Sequence, residues 1–93
     1  MKKIIGSKYF DNLMRIKGLV RDLISGGYQE TQRVFVLSSE GGRCYYDDCF
    51  DKKMRSDKRV TIINDGQRRV EAYSIHSQCL KSLLKDERVP GVN

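Results

Sequence analysis

No stretch of this 93-residue chain approaches the ~20 apolar residues of a membrane-spanning helix, which argues against a helical membrane protein. The opening Met1-Lys2-Lys3-Ile4-Ile5-Gly6 is basic, but its apolar stretch is only two residues long before Ser7 and Lys8, too short for a secretion signal. The expected setting is a reducing cytoplasm, or a nucleus in a eukaryote. Three cysteines cannot all pair within one chain, so they read as metal ligands or small buried groups rather than a disulfide framework. There is one histidine, which leaves no spare imidazole to activate a nucleophile once it is used elsewhere. A phosphate-cradling glycine loop is also missing, since Glu40-Gly41-Gly42 reads as a turn. The chain is therefore not expected to be an enzyme.

Leu, Ile, Val and Phe together supply 24 residues, enough for a modest core and too many for a disordered segment. The expectation is one small α+β domain over 1–93: a helix at 7–25, a zinc-binding hairpin and helix unit at 33–88, and a tail at 89–93. A core of this size yields only a few kcal/mol, so an additional staple is to be looked for.

Tyr9, Leu13, Ile16, Val20, Leu23 and Ile24 recur at helical spacing over 7–25, with Ser7 as cap and Gly26-Gly27 as stop. Asp11, Arg15, Gly18 and Asp22 fall opposite, and Asp11 and Arg15 are spaced to pair. The apolar stripe can pack on the chain's own sheet or dock a partner, and both remain open here. Arg33 to Leu37 and Arg43 to Tyr46, separated by turn residues, read as a first hairpin. Val60 to Ile63 and Arg68 to Tyr73, around Asp65-Gly66, read as a second. The charged stretch 47–59 reads as an exposed loop. Ser77 to Glu87 reads as a carboxy-terminal helix carrying Leu80, Leu83 and Leu84, capped by Ser77.

All three cysteines and the histidine lie within a 36-residue span as two close pairs, Cys44-x4-Cys49 and His76-x2-Cys79. Zinc takes four tetrahedral nitrogen or sulfur donors, and two short-spaced pairs deliver them because one turn can aim two side chains at a point. Cys79 falls in the first turn of a helix, where the dipole favours a thiolate. With four protein ligands the shell is closed, and one structural Zn2+ per chain is the expected cofactor. Three buried thiols beside an incidental histidine are the competing explanation. Asp47 or Asp48 offers an alternative oxygen donor.

Gly42-Arg43-Cys44, Cys49, Arg59-Val60-Thr61-Ile62 and Tyr73-Ser74-Ile75-His76-Ser77-Gln78-Cys79-Leu80 resemble a treble-clef zinc finger, most closely the finger of poly(ADP-ribose) polymerases and the nick-sensing DNA ligase. The resemblance covers 42–88 and implies a knuckle, a β-hairpin and a ligand-bearing helix start around one zinc. It differs in the wider first knuckle and in lacking the aromatic, usually Trp, expected close before the histidine, where Tyr73 is the nearest candidate.

A net charge of +6 attracts a polyanion, and Arg43, Lys52, Lys53, Arg55, Lys58, Arg59, Arg68 and Arg69 lie close in sequence to the ligand pairs. Tyr45, Tyr46, Phe50 and Tyr73 add rings able to stack on bases. Non-catalytic binding of DNA or RNA is the leading expectation. The charge is spread along the chain, however, and four aspartates oppose the six basic residues of 43–59. The alternative is a zinc-stapled protein-interaction module, an adaptor or small inhibitor, docking through helix 7–25 as a monomer or homodimer.

Overall fold

The computed structural model describes residues 7–26, 32–39 and 41–91. Its elements are α1 (Ser7–Ser25), β1 (Gln32–Ser38), β2 (Lys58–Asn64), β3 (Arg69–Ile75) and α2 (Ser77–Lys85). The strands form one antiparallel sheet in the order β1-β2-β3. The α+β class and both helices therefore agree with the sequence. No described helix is long and apolar enough to cross a membrane.

The first hairpin is corrected. β1 pairs along its whole length with β2, from Gln32 opposite Asn64 to Ser38 opposite Lys58, and 43–46 forms no strand. This pairing sets Val34 and Val36 beside Ile62 and Val60 on one face, where Val34, Ile62 and Val60 are buried. A register that aligns the apolar faces wins over the nearer partner in sequence. Beyond the strands the ladder continues through Ser39 N–H to Asp57 C=O, Gly41 N–H to Ser56 C=O and Ser56 N–H to Gly42 C=O. The 47–59 loop is thus tied at its base, and Ser56, expected on the surface, is buried with its hydroxyl on the Gly41 and Gly42 carbonyls. The second hairpin forms as expected, and the left-handed residue in its turn is Arg68, with φ of 54°.

Both helices serve the Val34 face. Leu13, Ile16 and Val20 of α1 join Val60, Ile62 and Ile75 of the sheet and Leu80 and Leu83 of α2 in one core. Leu19 joins them although it lies off the Tyr9-to-Ile24 stripe, whereas Ile24 at the stripe's end stays 71% exposed. Gly18, expected on the polar face, is buried. Arg15 does not turn to Asp11. It crosses to Glu71 on β3 with two hydrogen bonds, one of 2.9 Å, while the Tyr73 hydroxyl donates to the same carboxylate at 2.5 Å. Glu71 is held below the usual carboxylate range, by Arg15 above all.

The carboxy-terminal boundaries also shift. α2 ends at Lys85, and the 89–93 tail begins inside the fold, because Val89 is buried in the core and its N–H reaches Asp86 C=O. Val92 and Asn93 lie outside the described residues. His76, not Ser77, is the N-cap residue, and its side chain makes no cap bond. The Ser77 N–H instead donates 2.9 Å to the Asp57 carboxylate, so a loop distant in sequence caps the helix. That bond is the main cause of the lowered pKa of Asp57.

The other face of the sheet is left bare by the described chain. Its side chains, fixed by alternation, are Arg33, Ile63 and Val70 in one row, Phe35, Thr61 and Ala72 in the next, and Leu37, Arg59 and Ser74 in the third.

Candidate metal centre

The 44–49 segment folds into a turn closed by the Cys49 N–H on the Tyr46 carbonyl, which brings two thiols round to one side. The Tyr45 N–H donates 2.8 Å to the Ser74 carbonyl, and this pins the turn to the end of β3, two residues before His76. The start of α2 supplies the other pair, His76 at the cap and Cys79 on the first turn. The sequence folds this way because β3 leads directly into α2, so the donors of one pair and the turn of the other meet at one end of the sheet.

The donor atoms of Cys44, Cys49, His76 and Cys79 all lie within 4.8 Å of one another, and this group can hold a metal ion. Cys44, His76 and Cys79 are at most 2% exposed, and Cys49 is half-buried. The His76 Nδ1 is 3.2 Å from the Cys49 sulfur and 3.7 Å from that of Cys79. Tetrahedral bonds of about 2.3 Å to sulfur and about 2.0 Å to nitrogen place donors roughly 3.5–3.8 Å apart, so the widest donor pair must draw in by up to about 1 Å to close the shell. Asp47 and Asp48, the alternative oxygen donors, are not in the cluster. The Asp47 N–H donates to the Tyr9 hydroxyl, and Asp48 pairs with Arg88.

The surroundings orient the donors. The His76 Nε2 lies 2.9 Å from the Met54 carbonyl oxygen. A carbonyl only accepts, so Nε2 carries the proton and the free lone pair of Nδ1 faces the thiols. The Phe50 ring, 5.0 Å from the imidazole, covers its flank. The Asp51 N–H approaches the Cys49 sulfur at 3.4 Å. Lys52, expected as a phosphate contact, is exposed but folds its ammonium back onto the knuckle, donating to the Cys44 and Tyr46 carbonyls at 2.7 and 2.6 Å. Spacing rules could not find Met54 or Lys52, because one acts through its backbone and the other toward backbone.

Burial pushes the Cys49 thiol up, but the Asp51 N–H together with Cys79, Cys44 and His76 more than reverses this, and the net shift is downward. Cys79 goes the other way, up to about 12, chiefly through burial and then through its bond to Cys49. The expected benefit of the helix dipole at Cys79 is therefore outweighed by desolvation among the protein's own groups. A dication among the thiols inverts that balance, because coordinated cysteines lose their protons.

The basic residues do not gather into one patch. Arg43, Lys53 and Arg55 are exposed on the 41–55 loop, Arg59 stands on the bare sheet face, and Arg68 and Arg69 sit at the β2–β3 turn. Lys58 is on the covered side, with its ammonium 3.2 Å from the Ser38 hydroxyl. Of the rings expected to stack on bases, Tyr45 packs between Tyr9 and Tyr73 at 5.1 and 4.8 Å, and Tyr46 is buried with its hydroxyl on Asp86. Tyr46 belongs to the core, and Tyr45 and Tyr73 pack half-buried against it. An exposed ring the sequence did not single out is Phe35, hidden in an unbroken apolar run from Val34 to Leu37 where no alternation was visible.

No protein-family model, curated protein or solved structure matches this chain.

Proposed function

We propose that Cys44, Cys49, His76 and Cys79 hold one structural zinc ion, and that the module so stapled binds DNA or RNA without catalysis. Three sulfurs and one nitrogen suit zinc, and four protein donors leave no position for water or substrate. A turn carrying two thiols, the β2–β3 hairpin and a helix start carrying the other two ligands support a treble-clef-like reading of this half of the chain.

The observation that carries the nucleic-acid reading is the fate of the two surfaces. The middle of the apolar stripe of α1 is spent inside the fold, with Leu13, Ile16 and Val20 at 2% exposure or less, while Arg43, Lys53, Arg55, Arg59 and Arg68 remain in solvent. A protein-docking helix would leave the opposite distribution. The test is binding of labelled single-stranded and duplex oligonucleotides by the zinc-loaded chain as salt is raised. Affinity should fall steeply between about 50 and 200 mM salt. Absence of binding, or affinity indifferent to salt, would reject the reading.

One feature favours the protein-interaction alternative. An apolar groove of about 310 Å³ runs between the helices past Leu23, Ile24, Val36, Leu80 and Leu84, with Lys58 and Lys81 also lining it. Saturable, salt-insensitive binding of an amphipathic peptide there would support that role.

A further inference from the structure

The bare face of the sheet pairs an apolar centre with cations and has no carboxylate at any of its nine positions. Phe35 and Leu37 on β1 are 40% and 50% exposed, and Val70 on β3 is 68% exposed, with Ile63 half-buried between the strands that carry them. Contiguous exposed apolar surface of this kind on a small domain marks a contact surface. Arg59 rises from the central strand in the row of Leu37 and Ser74. At that end Gly42 backs directly onto Ser74, so the loop carrying Arg43 and Arg55 borders the face. At the opposite end stand Arg33, the β2–β3 turn and its Arg68, with Asp65 taking one hydrogen bond of 3.1 Å from Arg33.

We infer that this face is the platform on which a single nucleic-acid strand lies, with a base stacked on the Phe35 ring and phosphates held by Arg59 and the arginines at the two ends. The inference rests on the nucleic-acid reading above and deepens it by naming surface and substrate class. Charge decides the occupant. A second copy of the chain would bring the same arginines against one another, and an apolar protein surface would bury Arg59 unpaired on the central strand. A single strand matches both parts, because its unpaired bases present apolar faces and its backbone is anionic. In a duplex the base faces are already stacked, so Phe35 has nothing to receive.

The test uses the full zinc-loaded chain with a labelled 12-nucleotide oligo-dT, an oligo-U of the same length, and a duplex of mixed sequence. Phe35→Leu keeps the apolar volume and removes the ring, and Arg59→Gln removes the central cation. Both sit on a solvent face, and unchanged melting temperatures confirm that the fold is kept. The expected results are about a tenfold loss of single-strand affinity for Phe35→Leu with little change in its salt slope, recovery with Phe35→Tyr, and a shallower salt slope for Arg59→Gln. Should Phe35→Leu lower the melting temperature, protection of the Phe35 ring resonances on oligonucleotide titration of the wild-type chain provides the same decision.

Wild-type binding to single strands that is untouched by both variants, but reduced by Lys53→Gln with Arg55→Gln, would overturn the sheet platform and leave the nucleic-acid reading intact. Preference for the duplex would do the same. No binding to any of the three probes would overturn both. Dimerisation abolished by Phe35→Leu, in a chain that ignores oligonucleotides, would give the face to a second copy instead.

Discussion

The imidazole of His76 is tethered from behind by the backbone of Met54, with Nε2 donating 2.9 Å to the carbonyl oxygen and Nδ1 turned to the thiols of Cys49 and Cys79. One hydrogen bond thus sets tautomer and direction together, and its acceptor lies in the charged loop that follows the first ligand pair in sequence. The loop closes over the site it helps to build.

Two replacements separate the ligand from its tether. His76→Ala removes the fourth donor, and zinc content by elemental analysis should fall well below one per chain. His76→Cys restores a donor of the right kind but gives Met54 no N–H, so one zinc should still bind, about 10- to 100-fold more weakly in a competitive chelator titration. Full stoichiometry in His76→Ala would remove His76 from the ligand set.

Cys79 is buried with the α2 residues Leu80 and Leu83 in the same core as Cys44. Binding energy at a closed zinc site is folding energy, of order 10 kcal/mol, and a domain this small has little else to spare. Chelation of the wild-type chain should therefore unfold it. Cys79→Ser should lose zinc and the helical signal of α2, as read by circular dichroism. A zinc-free chain with an undiminished melting temperature would make the cysteines ordinary core residues.

The two helices, the second hairpin and all four clustered donors were legible in the sequence because each depends on local spacing. Helical periodicity marks α1, turn residues mark β2–β3, and two short pairs mark the donors. What escaped depends on partners distant in the chain. β1 chose β2 over 43–46 to align Val34 and Val36 with Ile62 and Val60. Asp57 caps α2 in place of Ser77. Lys52 looks like any other loop cation until its ammonium is seen on two carbonyls of the knuckle. The bare face was invisible for a related reason, since which side of a strand is covered is decided by helices packed from elsewhere.

Lys52 and Lys53 are neighbours of identical chemistry with different expected behaviour. Replacing Lys53 by Gln should leave the melting temperature unchanged and weaken oligonucleotide binding modestly. Lys52→Met strips two charge-assisted bonds from the carbonyls of Cys44 and Tyr46, at a cost of about 1.5–3 kcal/mol each by general precedent, and should destabilise the knuckle and loosen zinc. Thermal denaturation of the pair of variants checks this. Equal melting temperatures would return Lys52 to the surface.

Glu71 gives a pH dependence with a defined sign. Its carboxylate is held below the usual range by the hydrogen bond from Arg15, with Tyr73 adding to the effect. A depressed acid stabilises the fold once pH exceeds its unfolded value, about 4.3, and that contribution disappears as pH falls through the lower folded value. Glu71→Gln should therefore lower stability at pH 7, by about 1 kcal/mol for a partly buried pair, and the gap from wild type should narrow as pH drops below about 4. Acid would also release a metal held by thiolates and so unfold both proteins, and the comparison is therefore made over the pH range in which each keeps its metal. A gap that does not begin to narrow toward the acid end of that range would show that the Arg15 pair contributes nothing.

Gly42 and Gly26 separate backbone strain from collision. Both have left-handed backbones, with φ of 88° and 86°. A Cβ at Gly26 meets nothing within 4 Å, whereas one at Gly42 falls 2.5 Å from the Ser74 hydroxyl and 3.0 Å from the Ser74 Cβ. Gly26→Ala should then carry only the left-handed penalty, roughly 1–2 kcal/mol. Gly42→Ala should carry that penalty and displace the loop from the end of β3, where Tyr45 anchors the knuckle two residues before His76. Its loss of stability should be the larger, and its zinc affinity should drop while that of Gly26→Ala does not. Adding Ser74→Gly to Gly42→Ala opens the space and should return the double variant to the level of Gly26→Ala. Chemical denaturation and chelator titration of the four proteins measure both quantities. If the two alanine variants lose equal stability and bind zinc alike, the contact between Gly42 and Ser74 does not hold the knuckle in place.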